Sequence, residues 1–383
     1  MDASAQAPRR RWWLFRRQPK IRRHDLASQW QLMWWKFRRH TLAMIGMVLL
    51  GLFAAMVIFA EFISPYPPFE RNPAYVAGAP QIPSVIDENG NFRWPPFVQG
   101  LKAERDKKTL RLNYVPDPSV KWDVGMFVKG EPYRLLGFIP TDIKLFGVTT
   151  EGGFMHLFGT DFTGLDLFSR TIHAARASLG VGFVGVVISF ILGAAIGGVA
   201  GYFGGWVDNI VMRLIEFIRS IPTLPIWLAL AAMLPRDWSP LATYIAITVI
   251  LSLLGWTWLA RTVRSKLLAT RQEDFVLAAR LSGCSDTRII VRHMLPSFMS
   301  YLIVDASIAF PEILLAETSL SFLGLGLREP VESWGVLLFA AQSIRSIDQA
   351  PWLMIPGVFV IIAVLAFNFL GDGLRDAADP YTR

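Results

Sequence analysis

The sequence predicts an all-α, polytopic membrane protein with six spanning helices and one small folded insertion. Three observations predict it: 53% apolar and only 18% charged side chains over 383 residues, a mean hydropathy of +0.39, and basic residues gathered mostly near one end. Ordinary soluble chains are about 25% charged, so this composition excludes disorder and argues against a soluble enzyme. Cys284 is the single cysteine, which excludes an internal disulfide, a cysteine metal cluster and dithiol redox chemistry.

The first element is the basic segment 1–40. Arg9, Arg10, Arg11, Arg16, Arg17, Lys20, Arg22, Arg23, Lys36, Arg38 and Arg39 stand there against Asp2 and Asp25, which accounts for about the whole net charge of +8. Such a run reads first as a nucleic-acid arm. Here it is interleaved with Trp12, Trp13, Trp30, Trp34 and Trp35 and leads into an uncharged apolar stretch. Indole rings and cations together favour the lipid headgroup layer, so the expected partner is membrane lipid on the cytoplasmic side, not nucleic acid. The apolar stretch starts too deep and runs too long for a cleaved signal peptide.

A spanning helix needs about 20 apolar residues to cover roughly 30 Å of hydrocarbon. Four stretches qualify cleanly, at 41–62, 177–203, 241–259 and 351–370. Two are less clean: 219–234 begins as the continuation of an amphipathic run, and 298–322 contains Asp305, Glu312 and Glu317. The positive-inside rule puts Met1 in the cytoplasm, and six crossings then leave both termini inside. The loop 261–297 should be cytoplasmic, and it carries Arg261, Arg264, Lys266, Arg271, Arg280, Arg288 and Arg292 against three acids. The outward stretch 321–350 has only Arg328 and Arg345 as basic residues. Between the first span and a core of five helices at 167–383 lies the insertion, 63–166, rich in proline and aromatics. Its short runs, such as 111–115 and 134–138, read as strands in a mixed, mainly β and loop, extracytoplasmic unit.

Several motifs are weighed against blander readings. Gly180, Gly182 and Gly185 fit a dinucleotide pattern, but they lie inside an apolar helix and not between a strand and a helix, so nucleotide binding is rejected. Gly193, Gly197 and Gly201 recur every four residues, the spacing that lets helix backbones approach closely in lipid; the partner helix is left open. There is no phosphate-binding loop, the histidines show no ligand spacing, and no catalytic residue or metal ligand is assigned. Asp305 and Glu312 are seven apart, hence on nearly one helix face in a membrane stretch. Ionisable groups there usually face a water-filled path, which makes them candidates for lining a pathway; the alternative is hydrogen bonding to neighbouring helices. In the loop, Asp274 is expected to cap a short helix, Ala278 and Ala279 to be exposed, and Gly283 to end the helix with a left-handed turn.

That loop matches the motif E-A-A-x(3)-G-x(9)-I-x-L-P at Ala278, Ala279, Gly283, Leu295 and Pro296, with Leu277 in the place of Glu and His293 in the place of Ile. Further matching stretches are Gly159, Thr160 and Asp161 with Gly164, Asp166, Ser169 and Arg170; Gly201 with Tyr202 and Gly205; the run from Leu320 to Gly326 with Trp334 and Gly335; and Gly371 to Asp376 with Asp379 and Pro380. By these motifs the sequence resembles the membrane subunits of binding-protein-dependent ABC importers, specifically the second permease of the dipeptide, oligopeptide and nickel branch, here with an extended periplasmic insertion. The resemblance implies a multi-pass subunit of a bacterial inner membrane that binds no cofactor itself. Its implied partners are a homologous second permease, two cytoplasmic ATPase subunits or domains that bind ATP and Mg, and a periplasmic substrate-binding protein. It further implies that the helix at 272–285 docks in a groove of the ATPase. Peptides are the implied solute; nickel chelates, opines and oligosaccharides are alternatives. A channel or intramembrane enzyme would need a repeated filter or a nucleophile pair, and neither is found.

Overall fold

A computed structural model of the chain describes residues 29–87, 90–105 and 112–378. Most of the basic, tryptophan-rich segment, the run 111–115 in part, and Asp379 with Pro380 lie outside the described residues.

The first helices are α1 (Gln29–Phe37), α2 (Thr41–Ile58) and α3 (Ala60–Ile63). The span α2 contains no charged residue, and His40 starts it by accepting at Nδ1 from the Ala43 N–H at 3.1 Å. After the insertion come α4 (Leu167–Phe203), α5 (Gly205–Ser220), α6 (Thr223–Ala232) and α7 (Pro240–Thr270). Asp166 caps α4 through the Ser169 N–H at 2.7 Å, and Ser239 caps α7 with Pro240 at its first position, where the missing N–H of proline is harmless. The elbow helices α8 (Asp274–Leu281), α9 (Asp286–Arg288) and α10 (Leu295–Ser297) precede α11 (Met299–Phe322); α12 (Trp334–Ala341), α13 (Ile344–Gln349) and α14 (Ile355–Ala378) complete the chain.

Five of these segments are each long and apolar enough to cross a membrane. The span expected at 219–234 is not such a helix: α5 and α6 meet at a bend of 83°. Pro222 explains the break, because a residue before proline is driven to extended backbone and Ile221 sits at φ −97°, ψ 133°. With ten residues, α6 alone rises only about 15 Å.

Packing nevertheless requires the bent pair to traverse the layer. Ideal Cβ atoms on Gly180, Gly193, Gly197 and Gly201 of α4 would meet Tyr244, Leu259, Ala260 and Arg264 of α7 in that order, so the two helices run parallel. Two consecutive parallel spans need a return crossing between them. Ile215 of α5 packs with Trp256 and Ala260, and Ala231 of α6 packs with Val181 and Ile247, so the pair steps back from one end of α7 towards the other. The span α11 is antiparallel to α4, with Gly182 against Phe310 and Ser178 bonded to Glu317. Likewise α14 is antiparallel to α2, with Gly46 against Ala366 and Gly373 against Ala43.

The layer therefore has two unlike faces. One carries the described ends of the chain, α1 and the close of α14, together with the elbow. The other carries α12, α13 and the insertion. In the insertion, β1 (Ser84–Ile86), β2 (Phe92–Arg105), β3 (Leu112–Leu135) and β4 (Ile139–Val148) form a four-stranded antiparallel sheet in that order. The first half of β3 pairs with β2, for example Val98 with Trp122, and the second half pairs with β4, for example Val124 with Val148. The run 134–138 is not a strand of its own: β3 ends at Leu135 and residues 136–138 turn, with Leu136 at φ 55° and Gly137 at φ 83°.

The glycine seam leaves no room for a side chain. A Cβ on Gly197 would lie 2.3 Å from the Ala260 carbonyl oxygen. Gly197→Leu is expected to destabilise the subunit by at least the 1–3 kcal/mol typical of overpacking, about that range, seen as a lowered unfolding midpoint in nanodiscs; Gly51→Leu, at a site open to space, should leave it unchanged.

Candidate coupling elbow and pathway face

The elbow begins where α7 stops. Glu273, not Asp274, occupies the N-cap position of α8 and makes no side-chain cap; Asp274 is the first helical residue. Its carboxylate there complements the positive end of the helix dipole. The helix closes in a Schellman motif: the Gly283 N–H donates to the Arg280 carbonyl at 3.0 Å and the Cys284 N–H to the Ala279 carbonyl at 3.2 Å. This geometry needs left-handed backbone at the first residue past the cap, and Gly283 supplies φ +75°.

One side of α8 is buried. Val276 and Ala279 pack with Tyr202, Leu267, Ile289 and Met294, so Ala279 is not the exposed small residue the sequence leads one to expect; Ala278 is exposed. The other side carries an exposed apolar pair four residues apart, Leu277 and Leu281, the latter 90% exposed, while Phe275 is exposed at the flank of the buried side. Leu277, standing in the place of the motif glutamate, belongs to this pair. Past α9, residues Ile289–Met294 form a wide turn in which the Leu295 N–H donates to the Ile290 carbonyl five residues back. The wide turn spares the clash that a proline ring makes with the carbonyl four residues earlier, here ahead of Pro296. His293 is half-buried on this turn.

A polar clasp fixes the elbow to the end of α4. The Tyr202 hydroxyl donates to Asp286 Oδ1 at 2.6 Å and accepts from Arg280 Nη2 at 3.3 Å, with the guanidinium 5.5 Å from the ring centroid. Nearby, Arg264 of α7 forks onto Asp208 of α5, Nε to Oδ1 at 2.7 Å and Nη2 to Oδ2 at 2.5 Å. The elbow is thus keyed to α4 while α4 and α7 are held to one another by the glycine seam.

On α11, Tyr301, Asp305, Ile308, Glu312 and Leu315 follow each other at intervals of three and four and form one face. All are exposed except Asp305, which is half-buried and accepts from Trp258 Nε1 of α7 at 3.2 Å. The Arg219 guanidinium lies 5.1 Å from the Trp258 ring centroid. Glu312 is thus brought to the same open face as Asp305, next to the exposed stripe of α7. Glu317, by contrast, is fully buried and accepts from Ser178 and Ser321, a helix-to-helix bond and not a lining position.

Sequence reasoning recognised the residues from Gly159 to Arg170 as a motif and missed what they do. Arg170 Nη1 donates to Asp161 Oδ2 at 2.7 Å, Nη2 to Glu329 Oε1 at 2.6 Å and Nε to Glu332 Oε1 at 2.5 Å. Asp161 Oδ1 also accepts from the Thr163 and Leu165 amides. One guanidinium therefore joins the start of α4 to the loop that precedes α12. Burial pushes the Glu332 carboxyl up to about 7, against the opposing pull of Arg170. Among the described residues no group of three or more His, Cys, Asp or Glu side chains is placed to hold a metal ion.

Residues 173–383 match the family described as the binding-protein-dependent transport system inner membrane component, and residues 28–80 match the N-terminal TM domain of oligopeptide transport permease C. The first match covers more than half of the chain, and the chain belongs to that family: it is a multi-pass permease of the bacterial inner membrane, the non-catalytic membrane component of an ABC importer. Among its relatives, the dipeptide transport system permease protein DppC of Bacillus subtilis is 41% identical over 230 residues, covering 60% of this chain and 69% of that protein. The oligopeptide transport system permease protein OppC of Haemophilus influenzae is 38% identical over 236 residues, covering 61% and 73%. An inward-facing structure of the MetNI methionine ABC transporter aligns with a TM-score of 0.43 at 19% identity, over 54% of this chain and 96% of its own.

Two measurements probe this geometry. Tyr202→Phe removes a charge-assisted bond of about 1.5–3 kcal/mol and should raise hydrogen exchange at the amides of 283–289 without unfolding the spans. For Glu332 the folded-state value lies above the ordinary one, so the folded state binds more protons between about 4.5 and about 7; stability contributed by this loop is present below that window and falls as pH rises through it. Protection of 323–333 should decline from pH 5 to 8, and Glu332→Gln should flatten the decline.

Proposed function

We propose that the chain forms half of the translocation pathway of an ATP-driven importer for di- or oligopeptides or peptide-like solutes, and that the elbow is where ATP hydrolysis in a separate subunit reaches the spans. The names of the relatives support the peptide class. The single observation that carries the coupling role is the exposed apolar ridge of Leu277 and Leu281, flanked by exposed Phe275, on a helix that is itself clasped to α4. Exposed apolar side chains on a short rigid helix favour burial in a partner's groove. ATP and Mg belong to that partner, two cytoplasmic ATPase subunits or domains; this chain uses Asp274, Ala278 and Gly283 to shape the plug, Ala279 to seat it, and His293, Leu295 and Pro296 to turn it into α11.

The basic residues of 261–297 support a cytoplasmic elbow, which puts both termini in the cytoplasm and residues 63–166 in the periplasm. An ionised carboxylate is costly against lipid. Exposed Glu312 with Asp305 therefore supports covering the open face of α7 and α11 by the homologous second permease, with the solute path between. Gly193, Gly197 and Gly201 act inside the chain, since their close neighbours are on α7. The sheet on the opposite side is offered to the periplasmic binding protein.

Coupling needs the ATPase to grip the elbow differently in two states, because equal affinity shifts nothing. Gly283→Arg places a side chain in left-handed backbone, at a penalty of about 1–2 kcal/mol, and a bulky cation beside the ridge. Transport and substrate-stimulated ATP hydrolysis should fall while the subunit stays in the membrane; full uptake by this variant would remove the coupling role. Replacing residues 84–152 by a short Gly-Ser linker should reduce binding-protein docking and uptake, with insertion of the spans intact.

A further inference from the structure

The β3–β4 hairpin ends in an apolar tip that neither the pathway nor the coupling elbow uses. Leu136, Phe138 and Ile139 are exposed, Phe138 to 70%, and Leu135 beside them is half-exposed. Contiguous large apolar side chains on a loop tip mark an interaction surface. What covers this one can be read from where the hairpin passes.

Two contacts set its course. Phe146 of β4 packs on Phe168 in the first turn of α4, with ring centroids 5.6 Å apart. Two residues nearer the tip, Lys144 Nζ donates to the Glu61 carbonyl of α3 at 2.8 Å, and Phe127 on the paired strand meets Phe62 at 6.3 Å. Glu61 is itself clasped by Arg176 of α4. Arg176 stands eight residues deeper along α4 than Phe168 and reaches up to Glu61 past the Val57 carbonyl, to which its Nε donates at 2.7 Å, so Glu61 lies between those two levels. The hairpin therefore descends towards the membrane on its way from Phe146 to Lys144.

The level of α3 is fixed independently. From Thr41 to Ile63 the helical chain rises about 33 Å, the thickness of a hydrocarbon core with little to spare, and Arg38 and Arg39 stand just before it. Residues 61–63 thus lie at the outer headgroup boundary. The tip lies about five residues beyond Lys144, roughly 17 Å at strand rise, past the last helix the hairpin touches. Below α3, to which the hairpin is bonded, α2 leaves Leu42, Ile45, Val48, Leu52 and Ile58 exposed, an apolar surface suited to lipid.

We infer that the β3–β4 tip is a membrane anchor, with Leu136, Phe138 and Ile139 seated in the outer leaflet and Arg134 and Lys129 available to phosphate headgroups. A β-hairpin dipping from the outer side would add a hold at the far end of the sheet to the contacts of Lys144, Phe127 and Phe146 near the helices. Aromatic side chains flanked by cations suit that boundary.

The test replaces Phe138 by p-benzoylphenylalanine in the full chain, assembled with its partners in nanodiscs of phosphatidylethanolamine and phosphatidylglycerol, and illuminates with and without the binding protein. The expected product is the subunit with the mass of one phospholipid added, formed equally in both conditions; the same replacement at Phe92, on the β1–β2 side of the sheet, should give none. A crosslink from position 138 to the binding protein, or no lipid adduct there, would overturn the anchor. As an independent reading, Phe138→Cys in a Cys284→Ser background, labelled with an environment-sensitive dye, should be quenched by headgroup-attached nitroxides and shielded from aqueous iodide. The reverse pattern counts against the proposal.

Discussion

Everything else in this molecule hangs on the close parallel contact of α4 with α7. Gly193, Gly197 and Gly201 bring the backbone of one helix onto that of the other, near enough that Ala260 and Arg264 present carbonyl oxygens where side chains would otherwise stand. In lipid there is no hydrophobic drive to bring helices together, so van der Waals fit of this kind carries the association. Because the contact is parallel, the chain must return across the layer between the two helices. It does so through a pair broken at Pro222 and keyed by Asp208 to Arg264. The antiparallel packing of α11 against α4 and of α14 against α2 then follows from alternate crossing of the layer, by way of the elbow and of the α12–α13 turn.

The same seam governs what the elbow can do. A plug joined to a flexible strand end would dissipate any push; this one is seated by Val276 and Ala279, locked by a Schellman turn at Gly283 and clasped by Tyr202 to the end of α4. In the coupling role proposed for it, displacement of α8 would act on α4 and α7 together, because Val276 and Ala279 pack against both Tyr202 and Leu267. On the far side of the layer the Arg170 fork ties the start of α4 to the loop before α12. One long helix is thus anchored by polar groups at both ends, and packed by glycines between them.

Much of this is written in the sequence because lipid imposes simple rules on it. Apolar runs of about 20 residues reveal where the spans at 41 and 351 begin, although the last helix continues to Ala378, past the expected 370, and glycine spacing reveals the seam, though not that its partner is α7. At 219–234 hydropathy reads a crossing but not its bend: Pro222 breaks the helix while the apolar composition runs on. Asp274 looks like a cap because Asp is a favoured capping residue, yet it is already helical and the cap position before it holds Glu273, whose side chain caps nothing. Ala279 looks exposed because a small residue packs equally well in a seam or on a surface. The roles of Arg170, Glu332 and Tyr202 are unreadable from spacing, since their partners lie up to 162 residues away.

The insertion leaves and rejoins the membrane domain through a closed ring of backbone bonds: Asn72 to Gly164, Thr160 to Gly78, Gln81 to His156. Both ends of the excursion are thereby pinned beside one another whatever length of chain runs between them. A lineage of such permeases can lengthen, trim or exchange its outer ornament at this point while the transmembrane machinery stays as it is, and an engineer can graft a reporter module there by the same route.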